Sequence, residues 1–439
     1  MSLPGAPHLA RMDGELRFDG EPLDALARRF GTPLYVYSRA SMLDALGAYQ
    51  RALYGRRHLV CYAMKANSSL AVLQTFARAG CGFDIVSGGE LERVLAAGGD
   101  PAKVVFSGVG KTRAEMVTAL RAGVRCFNVE SLDELDALSA VAVLLGQKAP
   151  VSLRVNPDVD AGTHPYISTG LKGNKFGIAH GQALAAYRHA ASLPGLAVVG
   201  IDCHIGSQIT QVAPYIDALD RVLDLVDAVE AAGIPLHHVD VGGGLGIDYG
   251  DLPDEQPPRA DELMSSLLRR LDERGHGHRE LLLEPGRSLV GNAGVLLTEV
   301  LYLKPGADGD GDGAAPGEDE AKNFCIVDAA MNDLMRPAMY QAWMAVEPCV
   351  AREGVARRWD VVGPVCESGD WLARDRPLSV LAGDMLAILS AGAYGMSMAS
   401  NYNTRPRAAE VMIDGQQVTL IRERESALQL FSGEHLLPD

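Results

Sequence analysis

A lysine closes an apolar, strand-forming stretch of this sequence, where lysine is uncommon. Lys65 follows Tyr62-Ala63-Met64 in a chain that uses arginine far more often than lysine. Lysine, unlike arginine, can lose its proton and form a Schiff base with a carbonyl compound. The alternative is a surface lysine whose aliphatic stem packs along the strand end, and for this residue taken alone that alternative is the better one.

Other residues with chemical potential lie within or just after later apolar runs. They are Asp84, Arg154, Asn156, His204, Ser207, the glycine run 242–246, Glu284, Gly286 and Arg287. The glycine run, which includes Gly243 and Gly244, can bring backbone N–H groups close to a phosphate, and Arg287 can add charged hydrogen bonds. A tight turn is the alternative for the glycines. Because the run is not G-x-G-x-x-G, it gives little support to a nicotinamide site.

A phosphate site facing a lysine indicates pyridoxal phosphate. Lys65 would hold the aldehyde of that cofactor and the glycine run its phosphate. Glu284 would hydrogen-bond the pyridine nitrogen and keep it protonated, which makes the ring a strong electron sink. His204 would stack on the ring, and a core histidine with satisfied hydrogen bonds is the alternative for that residue.

Eight apolar runs alternate with amphipathic stretches and would bring these residues together. The runs are 57–66, 82–87, 103–108, 125–130, 151–157, 196–204, 237–242 and 281–285, with helical patterns at 70–79, 89–97, 112–121, 132–145, 181–192, 214–232 and 260–274. Strands and helices alternating eight times over about 230–250 residues predict an α/β fold with a (β/α)8 TIM barrel. An open doubly wound sheet is the alternative. Active-site residues of such a barrel come from the carboxyl ends of its strands.

After Gly294 the pattern changes to short strands separated by turns. Runs at 295–302, 324–327, 358–362, 385–389 and 418–422 predict a β-rich second domain. We therefore assign residues 36–294 to the barrel and 295–439 to the β-rich domain, which residues 1–35 are expected to join.

The segment 306–321 is acidic and of low complexity. Its Asp308-x-Asp310-x-Asp312-Gly313 matches the start of a calcium loop, but Asp319 stands where glutamate is expected. A hairpin tip without fixed structure is therefore the better interpretation, and we predict no metal site.

The composition excludes several classes of partner. The chain has 439 residues and a formal net charge of −16, which argues against nucleic acid or an anionic membrane as a partner. Its seven cysteines are scattered and form no CxxC pair, as expected in a reducing cytoplasm. No signal peptide and no bilayer-spanning apolar run are visible. The sequence thus predicts a cytoplasmic enzyme for a small molecule.

Several motifs together resemble the fold-type III pyridoxal-phosphate decarboxylases. They lie at 62–67, 82–90, 204–208, 284–287, 331–340, 366–370 and 392–395. The segment 168–178 favours the branch of that family that acts on diaminopimelate over the ornithine and arginine branches. The resemblance implies an alanine-racemase-like barrel plus a β-domain, and a homodimer whose active sites are shared between the subunits.

The resemblance also implies roles for individual residues. Lys65 would be the Schiff-base lysine, and Cys366, supplied by the partner subunit, the proton donor. Together with the arguments above, the expected cofactor ligands are Lys65, Asp84, His204, Ser207, Gly243, Gly244, Glu284, Gly286, Arg287 and Tyr394. The expected substrate ligands are Arg287, Arg336, Tyr340, Glu367 and Tyr394.

The implied reaction is decarboxylation of meso-2,6-diaminopimelate to L-lysine and carbon dioxide, the last step of lysine biosynthesis. Arg336 and Arg287 suit the distal carboxylate of this amino acid, and Glu367 suits its ammonium group. A related decarboxylase, acting on carboxynorspermidine, ornithine or arginine, is one alternative. A cofactor-binding regulator without catalysis is the other, although intact Lys65 and Cys366 argue against it. A racemase would prefer a cationic group to Glu284 at the pyridine nitrogen.

Overall fold

The computed structural model describes residues 3–160, 174–250, 256–306 and 322–438. The acidic segment 307–321 and most of the segment 168–178 therefore lie outside the described residues. Contacts divide the chain into two units. One comprises Leu43–Ile247 and Glu255–Leu289, and the other Met1–Met42, Asp248–Asp254 and Val290–Asp439.

The first unit is a closed barrel of parallel strands. Its strands are His58–Ala63, Gly82–Ile85, Val104–Phe106, Cys126–Val129, Ala149–Asn156, Leu196–Asp202, His238–Asp240 and Glu280–Leu283. Each strand pairs in parallel with the next along the chain, and the eighth pairs with the first, so that the barrel closes. These strands coincide with the eight predicted runs, and the predicted (β/α)8 barrel is confirmed.

Helices follow the barrel strands at the predicted places. They are Leu70–Arg78, Gly88–Ala96, Arg113–Ala122, Leu132–Leu144, His180–Ser192, Ala213–Ala231 and Ala260–Glu273, while Arg39–Ala52 precedes the first strand and Arg287–Val290 follows the last. Side chains of Ser87, Thr112 and Ser131 cap three of them by accepting a hydrogen bond from a backbone N–H of the first turn. Such caps fix where each strand-to-helix loop ends.

The barrel interior changes from apolar to polar toward the carboxyl ends of the strands. Cys61, Val105, Cys126 and Leu282 pack together as an apolar layer. Because side chains alternate along a strand, the residues two positions after Val105, Cys126 and Leu282 also point into the barrel, one layer closer to the carboxyl ends of the strands. Those positions carry Ser107, Asn128 and Glu284, all buried. The sequence thus places a layer of polar side chains inside the barrel, near the carboxyl ends of its strands.

The second unit is β-rich. A three-stranded antiparallel sheet contains Leu9–Met12, Glu15–Phe18 and Glu21–Pro22. A nine-stranded sheet runs in the order Trp371–Leu378, Arg357–Val362, Phe324–Val327, Gly294–Lys304, Leu34–Ser38, Ala409–Asp414 and Gln417–Arg422, with Met385–Ile388 paired to Gly294–Lys304 and Val346–Pro348 paired to Met385–Ile388. Its helices are Leu23–Phe30, Arg336–Tyr340 and Ala427–Leu430.

The division between the units falls after Met42 and after Leu289. Leu34–Ser38 pairs antiparallel with Gly294–Lys304 and in parallel with Ala409–Asp414, so this strand belongs to the sheet of the second unit. The predicted boundary at residue 36 lies inside that strand. None of the helices in the described ranges has the length and hydrophobicity that a bilayer-spanning segment requires.

Candidate active site

Lys65 lies at the carboxyl end of the first barrel strand, in the 3-10 turn Met64–Ala66. Its side chain is 39% exposed, and its Nζ donates a hydrogen bond to Oδ2 of Asp84, which is buried on the second strand. The other carboxylate oxygen of Asp84, Oδ1, has no hydrogen-bond partner within the described part of the chain. A half-exposed amine is thus held at the barrel mouth by a buried carboxylate, where it can react with a carbonyl compound.

A second lysine near the carboxyl end of the barrel has a different environment. The Nζ of Lys111 donates to the carbonyls of Gly108 and Asn128 at 2.8 and 2.7 Å and to the carboxylate of Glu134 at 2.7 Å. Its ammonium is fully buried and uses three donors, which is all an ammonium has. Lys111 is therefore structural, and Lys65 is the lysine placed for chemistry.

The glycines after the last two strands allow three loops to pack closely. A Cβ on Gly243 would lie 2.1 Å from the carbonyl oxygen of Glu284, and one on Gly244 would lie 2.3 Å from that of Gly206. Gly244 also has a φ of 102°, a conformation that other residues rarely adopt. A Cβ on Gly286 would lie 3.1 Å from the carbonyl oxygen of Ala63, at the end of the first strand. Only glycine fits the first two positions without movement of backbone.

Ser207 and Arg287 meet beside these loops. The Nη2 of Arg287 donates to Oγ of Ser207 at 3.0 Å. The residue after the serine, Gln208, has a φ of 57°, which is uncommon for a residue other than glycine. Its side chain hydrogen-bonds the backbone of Ile247 twice, at 2.8 and 3.2 Å, and so fixes the turn. A hydroxyl and a guanidinium are thus held together as donors for an anion.

His204 remains neutral because of its surroundings. Burial and then the positive charges of Arg154 and Lys65 lower its pKa well below the usual value. Its Nδ1 accepts a hydrogen bond from the backbone N–H of Gly243 at 3.2 Å. An uncharged imidazole held in this way can stack against an aromatic ring.

Glu284 is a buried carboxyl at the end of the eighth strand. Its Oε1 accepts hydrogen bonds from Asn128 Nδ2 at 3.2 Å and from Ser107 Oγ at 3.5 Å. Burial raises its pKa well above the usual range, and the negative charges of Asp240 and Asp84 raise it further. A carboxyl in these surroundings holds a proton readily, or shares one with a basic partner.

Glu284 belongs to a buried trio of acids with Asp202 and Asp240. Ligand oxygens of the three lie within 4.8 Å of one another. Burial raises the pKa of Asp202 well above its usual range and that of Asp240 to about 7. The guanidinium of Arg154 lies 4.0 Å from the carboxylate of Asp202 and 3.2 Å from that of Glu130. The guanidinium of Arg154 is thus a single buried cation that faces several buried acids. Some of the carboxyl groups of the trio must therefore keep their protons.

The barrel residues fit pyridoxal phosphate. Lys65 supplies an amine for its aldehyde, Ser207 and Arg287 supply donors for its phosphate, and the loops of Gly243 and Gly244 leave no room for side chains there. The carboxyl of Glu284 can accept the hydrogen bond of a pyridinium nitrogen. The predicted cofactor residues of the barrel therefore lie on or just after its strands at one end, as barrel active sites do.

The remaining predicted site residues lie in the second unit. Arg336, which is buried, begins the helix Arg336–Tyr340 and has its guanidinium 4.8 Å from the ring centre of Tyr249. Tyr394 has a φ of 55°, a conformation of higher energy for a bulky residue, which is often retained at functional sites. The roles of Arg336, Tyr340 and Tyr394 rest on the sequence motifs and stay predictions.

Cys366 and Glu367 lie on an exposed loop of the second unit. The backbone N–H of Cys366 donates to Oδ1 of Asn403 at 3.1 Å. Our sequence analysis missed Asn403. The available signal was the polar run Asn401-Tyr402-Asn403-Thr404, which is typical of a tight loop.

Comparisons with known proteins agree with this geometry. The profile of the family described as pyridoxal-dependent decarboxylase, pyridoxal binding domain, matches residues 39–291. The chain is 59% identical to the diaminopimelate decarboxylase of Pseudomonas aeruginosa, over 97% of this chain and 98% of that protein. A crystal structure of the enzyme from M. jannaschii in complex with L-lysine is 39% identical, with a TM-score of 0.92 and coverage of 100% and 99%. The enzyme from Helicobacter pylori with L-lysine is 40% identical, with a TM-score of 0.86 and coverage of 93% and 98%.

Proposed function

The chain belongs to the pyridoxal-dependent decarboxylases, and we propose that it uses pyridoxal phosphate to convert meso-2,6-diaminopimelate to L-lysine and carbon dioxide. The observation that carries the proposal is the amine of Lys65, held by the buried Asp84 at the mouth of a barrel. Near full-length similarity to diaminopimelate decarboxylases supports the choice of substrate. Pyridoxal phosphate, when bound, supplies a ring that takes up the negative charge left by the lost carboxylate.

Residues of the barrel bind and orient the cofactor. The Nζ of Lys65 would hold the aldehyde of the cofactor, and Asp84 orients that Nζ. Glu284 would hold the proton of the pyridine nitrogen, and Asn128 and Ser107 hydrogen-bond the carboxyl of Glu284. The amine of Lys65 would also be placed to move a proton at the substrate carbon.

Two further groups complete the cofactor site. Ser207, Arg287 and the N–H groups beside Gly243, Gly244 and Gly286 would bind the phosphate. The neutral His204 would stack on the ring without adding positive charge, because its pKa is low. Tyr394 is a further ligand by its motif.

Residues of the second unit bind the substrate. Arg336, with Arg287, holds the distal carboxylate of diaminopimelate, and Glu367 holds the distal ammonium. Tyr340 and Tyr394 contribute hydroxyl groups. Cys366 donates the proton that replaces the lost carboxylate. The enzyme is a cytoplasmic homodimer in which the loop of Cys366 and Glu367 serves the site of the partner subunit.

One assay tests the proposal. Carbon dioxide release is measured with purified protein and pyridoxal phosphate, using meso-diaminopimelate, carboxynorspermidine, ornithine, arginine and lysine as separate substrates. We expect release from meso-diaminopimelate in far excess over the other four. Preferred release of carbon dioxide from another substrate would assign the chain to a related branch of the decarboxylase family. Cofactor binding without release from any of them would instead support a regulator.

A further inference from the structure

The loop that carries Cys366 and Glu367 is held by a second loop, Asn401–Arg405. We propose that Asn403 is a positioning residue, which sets the placement of the Cys366 thiol for the reaction. The inference rests on the proposed function for the role of Cys366, whereas the contact itself is independent of it.

Exposure makes support from a second loop necessary for Cys366. Within its own subunit Cys366 is exposed, so packing against that subunit does not fix its side chain. The backbone bonds of the loop are local, from Glu367 N–H to Val365 at 2.8 Å and from Asp370 N–H to Glu367 at 3.0 Å. The contact from Asn403 Oδ1 to the N–H of Cys366 comes from outside the loop.

The supporting loop is itself firmly anchored. Nδ2 of Asn401 donates to Glu425 Oε2 at 2.8 Å and to the carbonyl of Arg405 at 3.0 Å. Nε of Arg405 donates to Oδ1 of Asn332 at 2.9 Å, and the carbonyl of Asn332 accepts from Ser400 N–H at the same distance. The loop is therefore tied to the motif 331–340.

Asp370 closes this network from the other side. Its Oδ1 accepts from Met331 N–H and its Oδ2 from Val365 N–H, both at 2.7 Å. The motifs 331–340 and 366–370 and the loop Asn401–Arg405 thus form one hydrogen-bonded assembly. A residue in this assembly can therefore influence the position of Cys366 without touching the substrate.

The backbone of the supporting loop is also unusual. Asn403 and Thr404 have φ values of 55° and 56°. Asparagine tolerates this left-handed conformation, but a β-branched threonine does so only when surrounding contacts impose it. Asn403 and Thr404 therefore provide a matched pair of glycine substitutions. Glycine adopts the left-handed conformation without strain at either position, but it removes the contact to Cys366 only at Asn403.

The first measurement compares Asn403→Gly with Thr404→Gly. Loss of one hydrogen bond to the loop should lower kcat about three- to tenfold in Asn403→Gly, while Thr404→Gly stays within about twofold of wild type. Asn403→Asp keeps the acceptor atom and should recover most of the loss. Equal kcat values in the two glycine variants would overturn the role of Asn403.

The second measurement does not depend on the reaction. All seven cysteines lie among the described residues, and only Cys366 is exposed, so alkylation by iodoacetamide followed by mass spectrometry reports on this thiol. In the holoenzyme we expect Asn403→Gly to be alkylated at least about threefold faster than wild type and Thr404→Gly. Unchanged alkylation would overturn the proposal. If the proposed substrate is wrong, activity is absent in wild type while this difference persists.

Discussion

At the scale of residues, two lysines near one end of the barrel show how environment decides function. Lys111 is buried and donates three hydrogen bonds to protein oxygens, whereas Lys65 is half-exposed and hydrogen-bonded to Asp84. The sequence singled out Lys65 through its position after an apolar run. It could not show the burial of Lys111, because that depends on Glu134, a partner 23 residues away along the chain.

Substitution of the two lysines should therefore have opposite consequences. Lys65→Ala should abolish both the visible absorbance of the lysine-bound cofactor and catalysis. Lys111→Ala should instead lower the free energy of unfolding by roughly 3–5 kcal/mol, because Glu134 is left buried without its partner, and should keep the absorbance. Absorbance spectra and chemical denaturation measure the two effects. Turnover of Lys65→Ala at the wild-type rate would contradict the assignment.

The acid trio should produce a pH dependence of stability. Burial is the main cause that raises the pKa of Asp240 to about 7, and the negative charge of Asp84 acts in the same direction. The hydrogen bond from the N–H of Gly242 and the positive charge of Arg154 act in the opposite direction. The carboxyl thus keeps a proton in the fold that the unfolded chain releases above its usual pKa of about 4. The free energy of unfolding should therefore fall as the pH rises from about 4 to about 7.

Asp240→Asn isolates this contribution. The amide cannot titrate, and its Oδ1 can still accept from Gly242 N–H, which lies 2.8 Å away in wild type. The melting temperature of cofactor-free Asp240→Asn, relative to wild type, should rise with pH across that window. Glu284 and Asp202 also face this group and are unchanged in the comparison. Parallel melting curves over the whole range would show that Asp240 is already ionised.

At the scale of elements, the glycines of the seventh strand's loop are required by close backbone contact. Gly244→Ala would place a methyl group 2.3 Å from the carbonyl oxygen of Gly206. Gly233 offers a matched control in the same unit, since its φ of 83° is also positive and nothing lies within 4 Å of its Cβ position. Alanine there costs only about 1 kcal/mol of backbone strain.

Gly244→Ala should therefore lose more than its control does. We expect an additional loss of about 1–3 kcal/mol in stability from overpacking, and weaker binding of pyridoxal phosphate by the displaced loop. Thermal melts and cofactor titration by fluorescence measure the two quantities. Identical affinity and stability in Gly244→Ala and Gly233→Ala would show that the loop moves freely and does not shape the site.

The elements that the sequence predicted are those defined by local pattern. The eight barrel strands are continuous apolar runs because parallel strands are buried on both faces, and three of the helices between them begin at Ser87, Thr112 and Ser131 caps. The strand Trp371–Leu378 was missed because it carries Arg374, Asp375 and Arg376 and alternates poorly. Leu34–Ser38 has strand-forming residues, but its partners lie more than 250 residues away, as with the Tyr35 pairing to Leu296.

The site was predicted unevenly for the same reason. Residues that follow barrel strands, such as Lys65 and Glu284, are brought together by the fold itself, so recognising the barrel located them. Asn403 acts through a single side-chain bond to the backbone of Cys366, 37 residues away. No local pattern shows such a contact, and a polar run is more often an ordinary turn.

At the scale of the whole molecule, the predicted chemistry is divided between two units. Lys65 and the cofactor residues of the barrel belong to one unit, and Cys366, Glu367 and Arg336 belong to the other. In the proposed homodimer, each active site takes the loop of Cys366 from the partner subunit. A protein built in this way cannot be active as an isolated monomer.

Mixing two inactive variants tests this arrangement. In a heterodimer of Lys65→Ala and Cys366→Ala subunits, one site would receive both defects and the other neither. Since half of randomly assembled dimers are mixed, activity should recover to about a quarter of wild type if the sites are shared. If the loop of Cys366 served its own subunit, every site in the mixed dimers would carry one defect. Verified heterodimers with no recovered activity would therefore exclude shared sites, and recovery would place Cys366 opposite the Lys65 of its partner.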